Sequence, residues 1–138
     1  MRVFLDANIL FSAAKSDGAI RHLLQLVQAR GHTLVADGFV VEEARRNLER
    51  KSAAAAMEAL DVLLTVVSVE PTGTDLASDG DWLDWLPPKD RPVLAAAARL
   101  RCDALVTGDR THFGQGYGQV FAGVRVLSPA MAVGTLLD

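Results

Sequence analysis

Residues 101–114 read Arg101-Cys-Asp-Ala-Leu-Val-Thr-Gly-Asp109-Arg-Thr-His-Phe-Gly114. The short apolar run at 104–106 predicts a buried strand, which Thr107-Gly108 ends. Asp109 would therefore lie just after the C-terminal end of a strand, where open parallel sheets bind their ligands. An acid in that place is also a common turn residue, so the interpretation of Asp109 depends on the other carboxylates of the chain.

Apolar runs and helical patterns alternate along the rest of the chain. The sequence predicts strands at 3–5, 33–36, 66–69, 104–106 and 124–127, and helices that begin at Ser16-Asp17, Asp37, Ser52, Asp90 and Ser128. Three further stretches are interpreted as a polar exit from the first strand (6–8), a short amphipathic turn of helix (82–86) and a flexible glycine-rich loop (114–118). The alternation predicts a single domain over 1–138, an α/β fold with three α/β/α layers and a central, mostly parallel sheet of about five strands.

The composition says more about the compartment in which the protein works than about the molecules that it binds. The formal net charge of −3 does not indicate nucleic-acid binding by bulk charge, although a local basic rim would serve. Cys102 is the only cysteine, which excludes an internal disulfide and fits a reducing compartment. The apolar run before Asp6 is too short for a signal peptide, and no run reaches transmembrane length. We therefore expect a soluble, cytoplasmic protein with no membrane partner.

Four carboxylates fall where the predicted sheet could bring them together. Asp6 and Asp109 each follow a strand, Asp90 opens a helix, and Glu43 lies in the first turns of another. Strand C-termini and helix N-termini share one edge of such a sheet. Carboxylates that converge raise one another's pKa, and a hard divalent cation such as Mg²⁺ or Mn²⁺ relieves that repulsion. A site of this kind can activate water against a phosphodiester.

Each acid also has a purely structural interpretation. Asp90 could be a helix N-cap, Asp109 a turn residue, Asp6 a strand-to-helix cap, and Glu43 a solvated helix residue. Asp103 precedes its strand and so belongs to the opposite sheet edge. Other chemistry competes poorly, because the histidines lack a zinc-ligand spacing and the glycine-rich loop neither follows a strand nor opens a helix.

The sequence resembles a PIN domain over nearly its whole length. The anchors, in chain order, are Val3-Phe-Leu-Asp6-Ala-Asn8, Val41-Glu-Glu43-Ala-Arg-Arg-Asn-Leu48, Lys89-Asp90-Arg-Pro-Val-Leu-Ala-Ala-Ala97, Asp103-Ala-Leu-Val-Thr-Gly-Asp109, and Thr111-His-Phe-Gly114 with Gly123-Val-Arg-Val-Leu-Ser-Pro129. The last pair is similar to a free-standing, VapC-like bacterial or archaeal branch. One anchor alone is a weak signal, whereas this ordered set with an α/β pattern between its members is specific.

The resemblance implies a nuclease that hydrolyses RNA endonucleolytically and leaves a 5′-phosphate and a 3′-hydroxyl. The implied cofactor is Mg²⁺ or Mn²⁺. The family's metal-binding and catalytic positions fall on four acids of this chain: Asp6, Glu43, Asp90 and Asp109. Glu42 is a rival for the helix position, but only Glu43 has the family's spacing to Leu48.

The positions around these acids carry further implied roles. Asn8 and Thr107 would support the site by hydrogen bonding. Some relatives have another acid three residues after the last Asp, whereas this chain has His112, interpreted as a phosphate contact. Many relatives are toxins of toxin–antitoxin pairs and form homodimers. The implied partners are thus RNA, a small antitoxin protein and a second copy of the chain.

The leading hypothesis is therefore a metal-dependent ribonuclease. Its candidate substrate contacts are Lys89, Arg91, Arg110 and His112. A solvated basic face is an equally good interpretation of the nearby Arg45 and Arg46. Two alternatives stay open: a non-catalytic module that binds RNA or an antitoxin, and a DNA-directed, structure-specific nuclease, for whose helical clamps 138 residues leave little room.

Overall fold

The computed structural model describes residues 1–51, 54–73 and 81–138. Its strands are β1 (Arg2–Leu5), β2 (Thr33–Asp37), β3 (Val67–Glu70), β4 (Ala104–Val106), β5 (Val120–Phe121) and β6 (Val124–Leu127). Its helices are α1 (Ala7–Lys15), α2 (Ala19–Ala29), α3 (Gly38–Lys51), α4 (Ala54–Leu64), α5 (Arg91–Arg99), α6 (Arg110–Phe113) and α7 (Pro129–Leu136). Over these ranges no helix has the length and apolar character needed to cross a membrane.

The strands form one sheet in the order β3-β2-β1-β4-β6-β5. All neighbouring pairs are parallel except β5 and β6, which are antiparallel. The predicted α/β class with a mostly parallel central sheet is confirmed. Within the described residues the sheet has six strands instead of about five. The additional strand is the two-residue edge strand β5, which no apolar run in the sequence predicts.

The register of the two central strands positions the functional edge. Leu5 of β1 lies opposite Val106 of β4, so both strands end at the same level. Both strands are almost wholly buried, as expected for parallel strands covered on both faces. On one side, α1 packs against α2, α3 and α4. The residues that follow β1 and β4 therefore emerge side by side from a rigid core.

The interpretation of residues 6–8 as a polar exit from the sheet is wrong. Asp6 is the N-cap of α1, and its Oδ1 accepts a hydrogen bond from the Ala7 amide at 2.7 Å. Because strand and helix join without a loop, their apolar patterns run together in the sequence and no break separates them. Ser16 is consequently the C-cap of α1, and α2 is capped by Gly18 instead of beginning at Ser16-Asp17.

The structure contradicts two other local predictions. The stretch 114–118 is not a free loop, because it contains a 3₁₀ turn and Gly116 is buried against the ring of Trp85. A Cβ at Gly116 would come within 2.3 Å of that ring, so the close approach requires glycine. Residues 82–86 form hydrogen-bonded turns and no helix. The predicted helix cap Ser52 lies outside the described residues.

Candidate metal centre

The four predicted acids line one open pocket at the C-terminal edge of the sheet. Asp6 follows β1, Asp109 follows β4, Asp90 precedes α5, and Glu43 lies on α3. The pocket has a volume of about 390 Å³, and the other residues that line it are Ala7, Asn8, Phe11, Phe39, Asn47, Lys51 and Lys89. Four separate elements of the fold thus deliver one carboxylate each to the same space.

Asp6 is the buried acid of the group, with only 5% of its surface exposed. Its Oδ2 accepts hydrogen bonds from the Thr107 hydroxyl at 2.8 Å and from the Asn8 amide at 3.2 Å. Burial raises the pKa of Asp6 from 3.8 to about 6. The hydrogen bonds from Thr107 and Ala7 oppose this rise, and the charges of Glu43 and Asp90 add to it. The hydrogen bonds therefore hold the carboxylate in place, but they do not offset the cost of burying its negative charge.

Thr107 joins the ends of the two central strands. Its hydroxyl donates to Asp6 and accepts hydrogen bonds from the Asn8 amide at 3.3 Å and from the Asp109 backbone amide at 3.2 Å. The hydroxyl thus uses its one donor and both acceptor positions. Asn8 completes the connection, since its Oδ1 accepts from the Gly108 amide at 2.8 Å. This network places Asp6 and Asp109 relative to each other.

Asp90, Asp109 and His112 form the tightest group in the pocket. One ligand atom from each lies within 4.8 Å of the others. The Nδ1 atom of His112 is 2.9 Å from Oδ2 of Asp90 and 3.0 Å from Oδ2 of Asp109. Burial raises the pKa of Asp90; His112 opposes that rise, and the carboxylate of Asp109 adds to it.

The structure also tests the structural interpretations of the acids. Asp90 occupies the N-cap position of α5, but within the described residues its side chain makes no capping hydrogen bond. Asp109 does cap α6, through Oδ1 and the His112 amide at 3.1 Å, which leaves Oδ2 directed at the His112 ring. Glu43 is half-buried and lines the pocket, whereas Glu42 is exposed and is not among the lining residues.

Comparison with known families identifies the family of this chain. The family profile described as "PIN domain" matches residues 2–111. The chain belongs to the PIN domain family. No curated protein sequence matches the chain.

Two solved structures share the fold of this PIN domain. The chain from the complex of VapBC2 of Rickettsia felis with a DNA fragment from their promoter superposes with a TM-score of 0.66 at 16% identity, covering 93% of this chain and 98% of that one. VapC20 of Mycobacterium tuberculosis, a Sarcin-Ricin loop cleaving toxin, superposes with a TM-score of 0.61 at 18% identity, covering 86% of this chain and 98% of that one. The resemblance to VapC proteins noted in the sequence is confirmed at the level of the fold.

The candidate substrate contacts of the PIN domain are placed unequally. Lys89 lines the pocket and is exposed. The guanidinium of Arg91 donates to the backbone carbonyls of Leu83 and Leu86, at 3.1 and 2.9 Å, and so fixes the turns before α5 instead of lining the pocket. Arg110 is exposed at the start of α6 and is not among the lining residues.

Further groups at or beside the pocket were not assigned to the site from the sequence. Asn47 and Lys51 line the pocket on α3 with Glu43, at four-residue spacing; the sequence pattern puts Asn47 one turn from Glu43 and Lys51 on the basic side of the helix, but it assigns neither a role. Phe11 lies on α1, the helix that the sequence interpretation missed. The Tyr117 hydroxyl donates to the Thr107 carbonyl at 2.8 Å, a contact for which the sequence offers no signal.

The donor set of the pocket fits a hard divalent cation. Oxygen atoms of carboxylates are the ligands that Mg²⁺ and Mn²⁺ prefer. Oδ2 of Asp90 and Nδ1 of His112 are buried and lie 2.9 Å apart, without good hydrogen-bond alignment in the described part of the chain. A cation held by these carboxylates would offset the burial and mutual repulsion that raise the pKa values of Asp6 and Asp90.

Proposed function

We propose that this PIN domain is a divalent-metal-dependent endoribonuclease in which Asp6, Glu43, Asp90 and Asp109 hold Mg²⁺ or Mn²⁺. The observation that carries the proposal is the convergence of four carboxylates from four elements on one pocket. Structural roles do not account for all of these acids, because Asp90 makes no capping hydrogen bond in the described residues and Asp6 carries a charge that its surroundings disfavour.

The chain's own residues prepare this chemistry. A divalent cation, when bound, supplies positive charge to the phosphate and a more acidic water. Thr107 and Asn8 hold the Asp6 carboxylate at a fixed position, and the cap on α6 does the same for Asp109. Lys89 and Lys51 at the pocket wall are placed to attract a phosphate of the RNA backbone.

The proposal is tested by RNA cleavage in Mn²⁺ or Mg²⁺. Wild type should cleave a single-stranded RNA panel, EDTA should stop cleavage, and Asp6→Asn should be inactive. Asp84→Asn, which changes an exposed aspartate in the turns before α5, is the matched control and should cleave like wild type. Equal cleavage by wild type and Asp6→Asn, or metal-independent cleavage, would contradict the proposal.

We further propose that the protein acts in the cytoplasm as the toxin of a toxin–antitoxin pair and forms a homodimer. The support is fold-level likeness to a chain of a VapBC complex and to a VapC toxin. Inducible expression should arrest growth, and Asp6→Asn should not. A sarcin–ricin loop RNA, the substrate named for one of these structures, belongs in the cleavage panel. Light scattering on the purified protein measures whether it dimerises.

A further inference from the structure

The His112 ring lies within ion-pair distance of two carboxylates. Its Nδ1 atom lies 2.9 Å from Asp90 Oδ2 and 3.0 Å from Asp109 Oδ2. Nδ1 and Asp90 Oδ2 are both buried, and within the described ranges the ring N–H is poorly aligned with either carboxylate. One ligand atom each of Asp90, Asp109 and His112 thus lies within 4.8 Å of the others.

These separations match a coordination sphere. Neighbouring corners of an octahedron with bonds of about 2.1 Å are about 3.0 Å apart, since the edge is √2 times the bond. The distances from Nδ1 to the two oxygens are 2.9 and 3.0 Å. The backbone of His112 is also held in place, because its amide donates to Asp109 Oδ1 at 3.1 Å within α6. The imidazole is therefore presented to the carboxylates by the same short helix that Asp109 caps.

We propose that His112 is a nitrogen ligand of the metal site, so that the site prefers Mn²⁺ to Mg²⁺. This inference rests on the proposed function, because it assumes that the acids bind a cation. Mg²⁺ takes oxygen ligands and loses little when an imidazole is absent, whereas Mn²⁺ and the later first-row metals accept imidazole nitrogen with increasing affinity. A carboxylate pocket with one imidazole ligand is thus biased towards Mn²⁺.

The first test is a metal titration by calorimetry, at one pH, with wild type and His112→Asn. The variant should bind Mn²⁺ roughly tenfold or more weakly, with Mg²⁺ affinity changed much less. His22→Asn is the matched control, because His22 is an exposed histidine whose Nε2 lies 3.4 Å from Asp17, remote from the pocket. His22→Asn should keep the wild-type ratio of Mn²⁺ to Mg²⁺ affinity.

The second test observes the bond directly. Electron spin-echo spectra of bound Mn²⁺ should show a coupled histidine nitrogen that shifts on ¹⁵N-histidine labelling. The signal should persist in His22→Asn and disappear in His112→Asn. Wild type alone decides the matter if His112→Asn fails to fold, since the Mn²⁺-loaded native protein either shows the nitrogen or does not.

The outcomes separate this inference from the proposed function. If Asp6→Asn loses Mn²⁺ uptake, but wild type shows no coupled nitrogen and His112→Asn keeps the affinity ratio, His112 is not a ligand and the carboxylate site stands. If wild type takes up neither Mn²⁺ nor Mg²⁺ in an Asp6-dependent manner, the proposed metal site itself is wrong.

Discussion

Replacing Asp6 by asparagine should stabilise the metal-free protein while it abolishes metal binding. Asp6 is 5% exposed and its carboxylate receives hydrogen bonds from Ala7, Asn8 and Thr107. Asparagine has nearly the same shape and keeps one oxygen for these donors. The substitution therefore removes a charge with little change in packing.

The magnitude follows from the pKa of Asp6. Its rise from 3.8 to about 6 means that the ionised carboxylate costs the metal-free fold about 3 kcal/mol. The folded state holds the proton more tightly than the unfolded state, so stability from this group is complete below about pH 4 and is lost as pH rises to about 6. In Asp6→Asn one hydrogen-bond donor is paired less well than in wild type, which costs about 1 kcal/mol. We expect a net gain of roughly 2 kcal/mol at pH 8 and a small net loss at pH 4, where the pairing cost remains but most of the charge cost is absent.

The assay is urea unfolding in EDTA at pH 4.5, 6 and 8, with Asp84→Asn as the exposed control. The free-energy difference between Asp6→Asn and wild type should grow with pH across this range, and the control should show no such slope. Adding Mn²⁺ at pH 8 should stabilise wild type but not Asp6→Asn. A difference that is independent of pH, or a variant less stable than wild type at pH 8, would refute the reasoning that burial raises the pKa of Asp6.

Three other changes test separate features. Glu43→Gln should weaken Mn²⁺ binding roughly tenfold or more, while Glu42→Gln, its exposed neighbour, should match wild type in the same calorimetric titration. Gly116→Ala should lower the free energy of unfolding by about 1–3 kcal/mol, because its methyl group would overlap the indole ring beside it. Gly114→Ala, whose methyl group would meet nothing within 4 Å, is the control in the same urea experiment. Burial raises the pKa of the Cys102 thiol to about 11, so a disulfide reagent at pH 8 should label it only in urea; rapid labelling of the native protein would contradict its burial.

The fold was predictable where the sequence has breaks between elements. β1, β2, β4 and β6 are short apolar runs that end at polar or glycine residues, and their burial follows from that pattern. The helix α1 was missed because Asp6 serves at once as the end of a strand and the cap of a helix. β5 was missed because a two-residue edge strand is defined by its partner and not by its own composition.

The convergence of the four acids on one pocket was predictable from the sequence, whereas the geometry of that pocket was not. The topology alone brings Asp6 and Asp109 to adjacent strand ends, since β1 and β4 are parallel neighbours. The position of His112 between two carboxylates depends on the four-residue helix α6, which is too short to show a period. Likewise Tyr117 reaches Thr107 from a glycine-rich stretch whose path is set by packing against Trp85.

The sign of the Asp6→Asn effect distinguishes a structural acid from a functional one. An aspartate kept only to cap α1 or to bond Thr107 would have a carboxylate that the fold favours, and its replacement would destabilise the protein at neutral pH. Here burial and the charges of Glu43 and Asp90 outweigh the hydrogen bonds that Asp6 accepts. A cation that binds the folded state alone would remove that cost, and would stabilise the fold in proportion to its affinity and concentration. Local instability in the metal-free state is therefore the physical signature expected of residues arranged around a cation.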